Sequence, residues 1–457
     1  MLIRFNVKNF RSFDSRRDGK SEEFSMLAGR VRSKKNHIYD DSNIKLLKFA
    51  AVYGANASGK SNLVRAFDFM RKHILGFGGD VYGNEYCRIN EKNKESNSYF
   101  ETEILLNGKY YAYGFEINVF KGEYLEEWLY ELELNTQEKL IFYRDICNGN
   151  FKIGTSIFTD NEHNKLELYL SDIARDKTAL FLTVMNQNKK ALYDNEEAEI
   201  NIFNRLNKWF KYCLKIDYPH QLLSDYTYVL QEENLKKIEQ ILKFFNTGIE
   251  KLNIVDITLE RVSEGLPGNV IKELRRRLSR LSQNSRQINK EKFMVMRNEH
   301  AFYIFRVFGE DVKCQTIKFQ HHNPKIFFDL SDESDGTIRL FDLLEILLVG
   351  ENKTYVVDEF DRCLHPCITY QFVKEYLNLA KKRNIQLIIT THESRLLDFD
   401  LLRRDEVWFI QKDMSGKSNI YSLEEYNERF DKKIDKAYLD GRYGGVPIFN
   451  TVFPIEG

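Results

Sequence analysis

Cysteine is scarce in this chain: six in 457 residues, of which only Cys363 and Cys367 stand close together, with His365 between them. A zinc site would need a second ligand pair at suitable spacing, and none is present. Free thiols are the expectation. Charge of one sign is also missing. Lys plus Arg and Asp plus Glu each number 68, so no global field argues for nucleic acid or a membrane surface. No apolar run approaches the length of a transmembrane span. The opening Met1-Leu-Ile-Arg-Phe-Asn-Val lacks the charged-then-apolar layout of a secretion signal. A cytoplasmic protein with reduced cysteines is therefore expected. No heptad pattern is long enough for a coiled-coil arm, and no C-x-x-C sits at a helical hairpin tip.

What is present is material for a large core and one unmistakable motif. Hydrophobic residues make up 42% and aromatics 14%, in a length that allows two or three domains. Gly54-Ala-Asn-Ala-Ser-Gly-Lys-Ser61 is a complete G-x-x-x-x-G-K-S phosphate loop. The apolar run Leu46–Tyr53 leads into it as a strand. Leu63, Val64, Phe67, Met70, Ile74 and Leu75 then recur at helical spacing until Gly76. That strand–loop–helix context is what the motif requires. Backbone N–H groups of residues 54–62 (Gly54, Ala55, Asn56, Ala57, Ser58, Gly59, Lys60, Ser61, Asn62) can close around phosphate oxygens at a helix N-terminus. Lys60 can reach the β- and γ-phosphates, and Ser61 can ligate Mg²⁺. ATP and Mg²⁺ are the expected ligands.

Two further strands end in chemistry. Thr354–Val357 runs into Asp358 and Glu359. The first carboxylate suits Mg²⁺, and the second suits polarising the water that attacks the γ-phosphate. Gln386–Thr391 runs into His392, whose neutral imidazole can contact the γ-phosphate. Short apolar runs alternating with helices point to a parallel sheet, whose ligands gather at the C-terminal ends of its strands. Between residues 332 and 337, Ser334-Asp335-Gly336-Thr337 opens a helix, either as an anion site or as a plain N-cap.

The pattern predicts a discontinuous domain. Residues 1–155 form an α/β part with an antiparallel sheet, including a hairpin at Asn107-Gly108. Residues 156–300 form a mainly helical insertion, with helices over Ile200–Ile216 and Gln231–Phe245. Residues 301–457 complete the head, with strands at Phe302–Phe308, Ile317–Gln320 and Ile326–Leu330. The stretch Ile271–Phe293 is strongly basic; most such runs are solvated helix faces.

In this order, phosphate loop, S-D-G-T, D-E and T-T-H, the elements resemble the ATP-binding-cassette heads of the RecF, Rad50 and SMC type. The implied fold class is α/β: a P-loop ATPase head with a mixed sheet and a helical insertion. The resemblance implies that Ser334, Asp335, Gly336 and Thr337 contact the nucleotide held by a second copy, so that two heads sandwich two ATP molecules. The segments Phe24–Gly29, Tyr53–Leu63, Glu333–Leu340 and Tyr438–Pro447 resemble one branch more closely. That branch is the OLD-like stand-alone bacterial ATPases of the AAA_15/AAA_21 kind, including partners in the RloAB, AbiL and PARIS anti-phage systems. It implies an ATPase, Glu359 and His392 as catalytic residues, and a homodimer or higher homo-oligomer. OLD nucleases carry a TOPRIM domain of roughly 150 further residues after the ATPase, whereas some 65 follow His392 here. An effector, TOPRIM- or nuclease-like, is thus expected on a separate chain. A glutamine that senses the metal in such heads has no clear counterpart; Glu126 or Glu127 is the nearest candidate. The alternatives are a RecF-like DNA-repair clamp, binding nucleic acid through Arg275–Arg280, and a self-contained nuclease toxin.

Overall fold

The structure is a computed structural model that describes residues 1–16, 18–41, 43–78, 83–133, 138–155, 157–219, 226–264, 266–297, 301–348, 351–426 and 434–446. The chain divides into two compact units. The first is Met1–Asp217 with Glu351–Asp361 and Phe372–Gly457; the second is Tyr218–Gly350 with Arg362–Gln371. Pro447, the last residue of the Tyr438–Pro447 motif, lies outside the described residues.

The first unit holds a six-stranded sheet. With strands numbered along the chain, its order is β11 (Leu214–Asp217), β16 (Lys353–Val357), β17 (Ile385–Thr390), β5 (Phe49–Tyr53), β18 (Val407–Lys412) and β19 (Ser418–Ser422). All neighbours are parallel except the closing β18–β19 hairpin. Every residue of β5 is buried, as expected of a parallel strand covered on both faces. The run Leu46–Tyr53 is not one strand. Lys48 interrupts it: its ammonium is buried and donates to the Ala380 carbonyl at 2.6 Å, leaving β4 (Lys45–Leu47) to pair with β3 (Ile38–Asp40).

A seven-stranded antiparallel sheet completes this unit: β10 (Asn150–Ile153), β9 (Lys139–Asp145), β8 (Glu123–Leu132), β7 (Lys109–Asn118), β6 (Ser98–Leu106), β1 (Leu2–Lys8) and β2 (Glu22–Ser25). Asn107 and Gly108 both have positive φ, 52° and 78°, the backbone a two-residue hairpin favours. Helix α1 (Lys60–Ile74) lays Phe67 on Phe5, ring centroids 3.9 Å apart, and Phe69 on Phe100 at 4.8 Å. The phosphate loop's own helix is thereby fixed to the antiparallel sheet. Gly76, at φ 79°, ends the chain's helical run as expected.

The segment 156–300 carries helices α2 (Asp160–Asp172), α3 (Phe181–Met185), α4 (Ile202–Lys208), α5 (Glu232–Phe244), α6 (Leu259–Glu264) and α7 (Gly268–Ile288). It is nonetheless shared between the units: α2 to α4 belong to the first. The expected helix Ile200–Ile216 stops early. Residues 209–213 widen into a π-turn and β11 follows, because Leu214 and Ile216 extend the parallel sheet beside β16. The second unit contains its own antiparallel sheet, β12 (Lys251–Ile257), β15 (Asp311–Gln320), β14 (Phe302–Phe308) and β13 (Lys292–Arg297). Leu274 and Leu278 of the basic helix α7 pack on Phe305 and Val307 of this sheet. Ile326–Leu330 is not a full strand; only Phe328 bridges, to Phe319. Helix α8 (Asp335–Leu348) sets Phe341 against Phe302 and Phe319. Helices α9 (Pro366–Ala380) and α10 (Ile434–Leu439) finish the described chain, and Tyr376 of α9 packs on Phe49. No helix among the described residues is long and apolar enough to cross a membrane.

The inner end of α1 has a measurable signature. His73 is buried with Nδ1 2.6 Å from the Tyr124 hydroxyl, and burial lowers its pKa to about 4. The unfolded chain therefore binds a proton near pH 6.5 that the folded chain refuses until about pH 4. Stability present above pH 6.5 is lost as the pH falls across that window, by up to about 3 kcal/mol. In His73→Phe the pH slope of the urea midpoint between 6.5 and 4 should shrink by one proton. An unchanged slope would assign the acid sensitivity elsewhere.

Candidate functional site

β5 delivers the chain to the Gly54–Ser61 loop at the C-terminal edge of the parallel sheet, and α1 starts at Lys60. The loop bends through left-handed backbone at Ala57 (φ 61°) and Gly59 (φ 117°). Glycine is also required by crowding. A Cβ on Gly54 would stand 2.4 Å from the Ile410 carbonyl oxygen, and one on Gly59 2.5 Å from Ser418 Oγ. The loop is strapped to both ends of the chain. Ser418 Oγ donates to the Ser58 carbonyl (2.5 Å), Ser418 N–H to the Ser12 carbonyl (2.8 Å), and Asn62 Nδ2 to Ser12 Oγ (2.8 Å).

Lys60 is buried, and its Nζ donates to the carbonyls of Gly54 (2.7 Å) and Ala55 (3.2 Å). Burial lowers its pKa to about 8, against the opposing pull of Asp358, Asp361 and Glu359. Ser58 Oγ is buried and has no hydrogen-bond partner among the described residues. A desolvated ammonium, an orphaned hydroxyl and a loop pinched by two obligatory glycines suit an oxygen-rich anion.

Asp358 and Glu359 follow β16 at the same sheet edge. Asp358 is buried; its Oδ1 accepts from the Thr390 hydroxyl (2.6 Å), and its N–H donates to the Asp217 carbonyl (2.9 Å). The same Thr390 oxygen accepts from the Glu359 N–H (2.8 Å). Glu359 has φ 46°, a left-handed conformation that costs a non-glycine residue roughly 1–2 kcal/mol. Thr390 is thus a clip, fixing the first carboxylate and the backbone of the second. One strand further, the His392 N–H donates to Asp361 Oδ1 (3.3 Å). Burial lowers the His392 pKa and nearby Lys60 lowers it further, against the pull of Asp361, Glu359 and Asp358. The imidazole is neutral at neutral pH.

Residues 56–62, Glu359, His392 and Lys412 line one pocket of about 260 Å³. Ligand pockets usually span roughly 300–1,000 Å³, so this one matches a phosphate chain rather than a whole nucleotide. Its N–H groups, Lys60 and the free Ser58 hydroxyl fit phosphate, and its Ser61 hydroxyl, with Asp358 one residue before the lining Glu359, fits Mg²⁺. A larger groove of about 1180 Å³, lined by Leu27, Leu402 and Trp408 among others, includes part of the Phe24–Gly29 segment but none of the sequence-predicted nucleotide-site residues.

Ser334, Asp335, Gly336 and Thr337 lie in the second unit. There Ser334 caps α8, its Oγ accepting from the Thr337 N–H at 3.2 Å and sitting 2.9 Å from Thr337 Oγ1. Glu127 is not a metal sensor. Its carboxylate is fully buried, accepts from the N–H groups of Phe181 (2.6 Å) and Leu182 (3.0 Å) and the Tyr113 hydroxyl (2.9 Å), and pairs with Arg144. The signal was a carboxylate before a tryptophan in a strand, and its use is to anchor α3. Glu126 likewise sits on β8, away from the pocket lining, where burial raises its pKa and Tyr143 hydrogen-bonds it. Thr390, Asp361 and Lys412 escaped the sequence reading. Each is a polar residue at or just beyond the end of an apolar strand run, which was signal enough. No group of three or more metal-ligating side chains forms among the described residues, Cys363, His365 and Cys367 included.

Among solved structures, an SMC head bound to the C-terminal winged-helix domain of ScpA aligns at 12% identity, covering 92% of this chain and 97% of that one, with a TM-score of 0.41. The SMC head domain from Thermotoga maritima aligns at 15% identity, covering 92% and 98%, with a TM-score of 0.31. No curated protein matches the chain. A family model described as "AAA domain, putative AbiEii toxin, Type IV TA system" matches residues 49–172 and 214–398. Those spans contain the phosphate loop, the Asp358–Glu359 pair and His392 and amount to well over half of the sequence, so the protein belongs to the AAA_21 family.

Proposed function

We propose that the protein is an ATPase whose ATP-driven pairing of heads gates a separate effector, in a bacterial anti-phage (abortive infection) system. The observation that carries the ATPase reading is the convergence of Lys60, Glu359 and neutral His392 on one pocket the size of a phosphate chain, with Asp358 clipped by Thr390 next to Glu359. In this reading the loop N–H groups and Lys60 hold the β- and γ-phosphates. Ser61 and Asp358 would hold Mg²⁺, which would supply neutralisation of the phosphate charge. Glu359 accepts a proton from the attacking water, and His392 donates a hydrogen bond toward the γ-phosphate. The pocket leaves much of a nucleotide uncovered, which favours completion of the site by Ser334–Thr337 of a second copy. The OLD-like sequence motifs and the toxin–antitoxin description of the family support a defence role with its effector on another chain.

The signature residues supply the test. Ser334→Arg should keep ATP affinity within about twofold while abolishing ATP-dependent assembly, read by light scattering. Arginine also removes the α8 cap, at about 1 kcal/mol. Ser334→Asp keeps a capping oxygen but sets a negative charge where phosphate is to dock, so it should block assembly without that loss. Normal assembly in both variants would show that these residues make no contact in trans.

A further inference from the structure

The β18–β19 hairpin brings one residue to the phosphate pocket that no motif assigns. β18 runs parallel to β5 with Phe409 beside Tyr53, so both strands reach the same sheet edge together. Where β5 becomes the phosphate loop, β18 ends at Lys412, and Lys412 lines the pocket with residues 56–62, Glu359 and His392.

The hairpin is not a loose flap. Lys412 pairs across it with Ser418, the residue whose hydroxyl and N–H hold Ser58 and Ser12. The Ile410 carbonyl presses on Gly54 so closely that only glycine fits. Lys412 is therefore carried on the piece of backbone in contact with the loop.

Its charge is available. Oδ1 of the neighbouring Asp413 accepts from the Ser415 hydroxyl and the N–H groups of Ser415 and Lys417, while the Lys417 ammonium pairs with Asp14. Among the described residues Lys412 forms no ion pair, and its side chain is exposed. Lys60, the other cation of the pocket, is buried and tied to loop carbonyls. The pocket thus has a cation inside the loop and another on its open rim.

We infer that Lys412 is a second phosphate-binding cation, presented to the nucleotide's phosphate chain by a hairpin locked to the phosphate loop. A compact ammonium on a flexible stem suits phosphate oxygens whose positions shift during turnover. The inference rests on the nucleotide-binding reading above, and the experiment separates the two.

Binding of ATP, ADP, inorganic tripolyphosphate and adenosine would be measured by calorimetry on the full chain, for wild type, Lys412→Ala, Lys412→Arg, Lys412→Glu and Lys60→Ala. Lys412→Ala should weaken ATP, ADP and tripolyphosphate about tenfold and leave adenosine unchanged. Lys412→Arg should stay within about threefold, and Lys412→Glu should lose at least about a hundredfold. Because the side chain is exposed, unfolding temperatures should not move. If wild type binds none of the phosphates, the nucleotide reading itself fails. If Lys60→Ala abolishes binding while Lys412→Ala and Lys412→Glu bind like wild type, only the role of Lys412 is overturned. Equal losses for adenosine and tripolyphosphate would also overturn it, by marking a structural effect.

Discussion

Replacing Lys60 by alanine should abolish nucleotide binding, weakening ATP by at least about a hundredfold with the fold intact. The Lys60 ammonium donates to the carbonyls of Gly54 and Ala55, so holding a phosphate would exchange these bonds for bonds to phosphate oxygens. Bonds from an ammonium are charge-assisted to carbonyl and phosphate alike, at about 1.5–3 kcal/mol each, so the gain on exchange comes from the negative charge of the phosphate oxygens. Two exchanged bonds, with the Coulomb attraction of a desolvated cation for a polyanion, give a net loss of roughly 3 kcal/mol or more, which is about two decades in Kd. The loop itself should survive, because Ser418, Ser12 and Asn62 hold it independently of Lys60. Fluorescent-nucleotide titration beside a thermal melt checks both halves. ATP affinity within threefold of wild type would remove the phosphate loop from the mechanism.

Glu359→Gln should bind ATP normally and turn it over about 10²–10⁴-fold more slowly, the usual contribution of a general base. The substitution is clean here. Thr390 holds Glu359 through its backbone N–H, which glutamine retains, and glutamine bears the same left-handed φ at similar cost. Asp358 keeps its bond from Thr390. Only the capacity to accept a proton is lost. With hydrolysis slowed, the ATP-closed assembly should accumulate, visible as an ATP-dependent dimer by size-exclusion chromatography. Single-turnover hydrolysis at the wild-type rate would show that another group activates the water.

The phosphate loop, the Asp358–Glu359 strand and the His392 strand were legible because each couples a short apolar run to a polar end, and a parallel sheet leaves little freedom in what such a run becomes. The stretch 271–293 was legible as a basic helix face, yet it is a helix followed by the start of a strand. Phe293, Val295 and their neighbours in β13 pair with β14, a long-range choice that no local pattern encodes. β11 was hidden for the same reason: Leu214 and Ile216 continue the helical spacing of the preceding residues, and only the free edge of β16 decides for strand. Thr390 read as one more strand residue. Its role exists only because β16 lies next to β17, which puts its hydroxyl against Asp358. Glu127 misled because a carboxylate in a strand looks the same whether it faces a metal or, as here, an arginine and two N–H groups.

The strap on the phosphate loop has a consequence for how the protein is made. Ser418 holds Ser58 across 360 residues, and Gln386 holds Leu2 across 384. Contacts this distant in sequence form late, since the intervening chain must first be ordered. On the ribosome, residues 54–61 emerge early but stay unbraced until the β18–β19 hairpin follows them out. A nascent or truncated chain lacking residues 407–422 therefore displays the phosphate-loop motif without its brace.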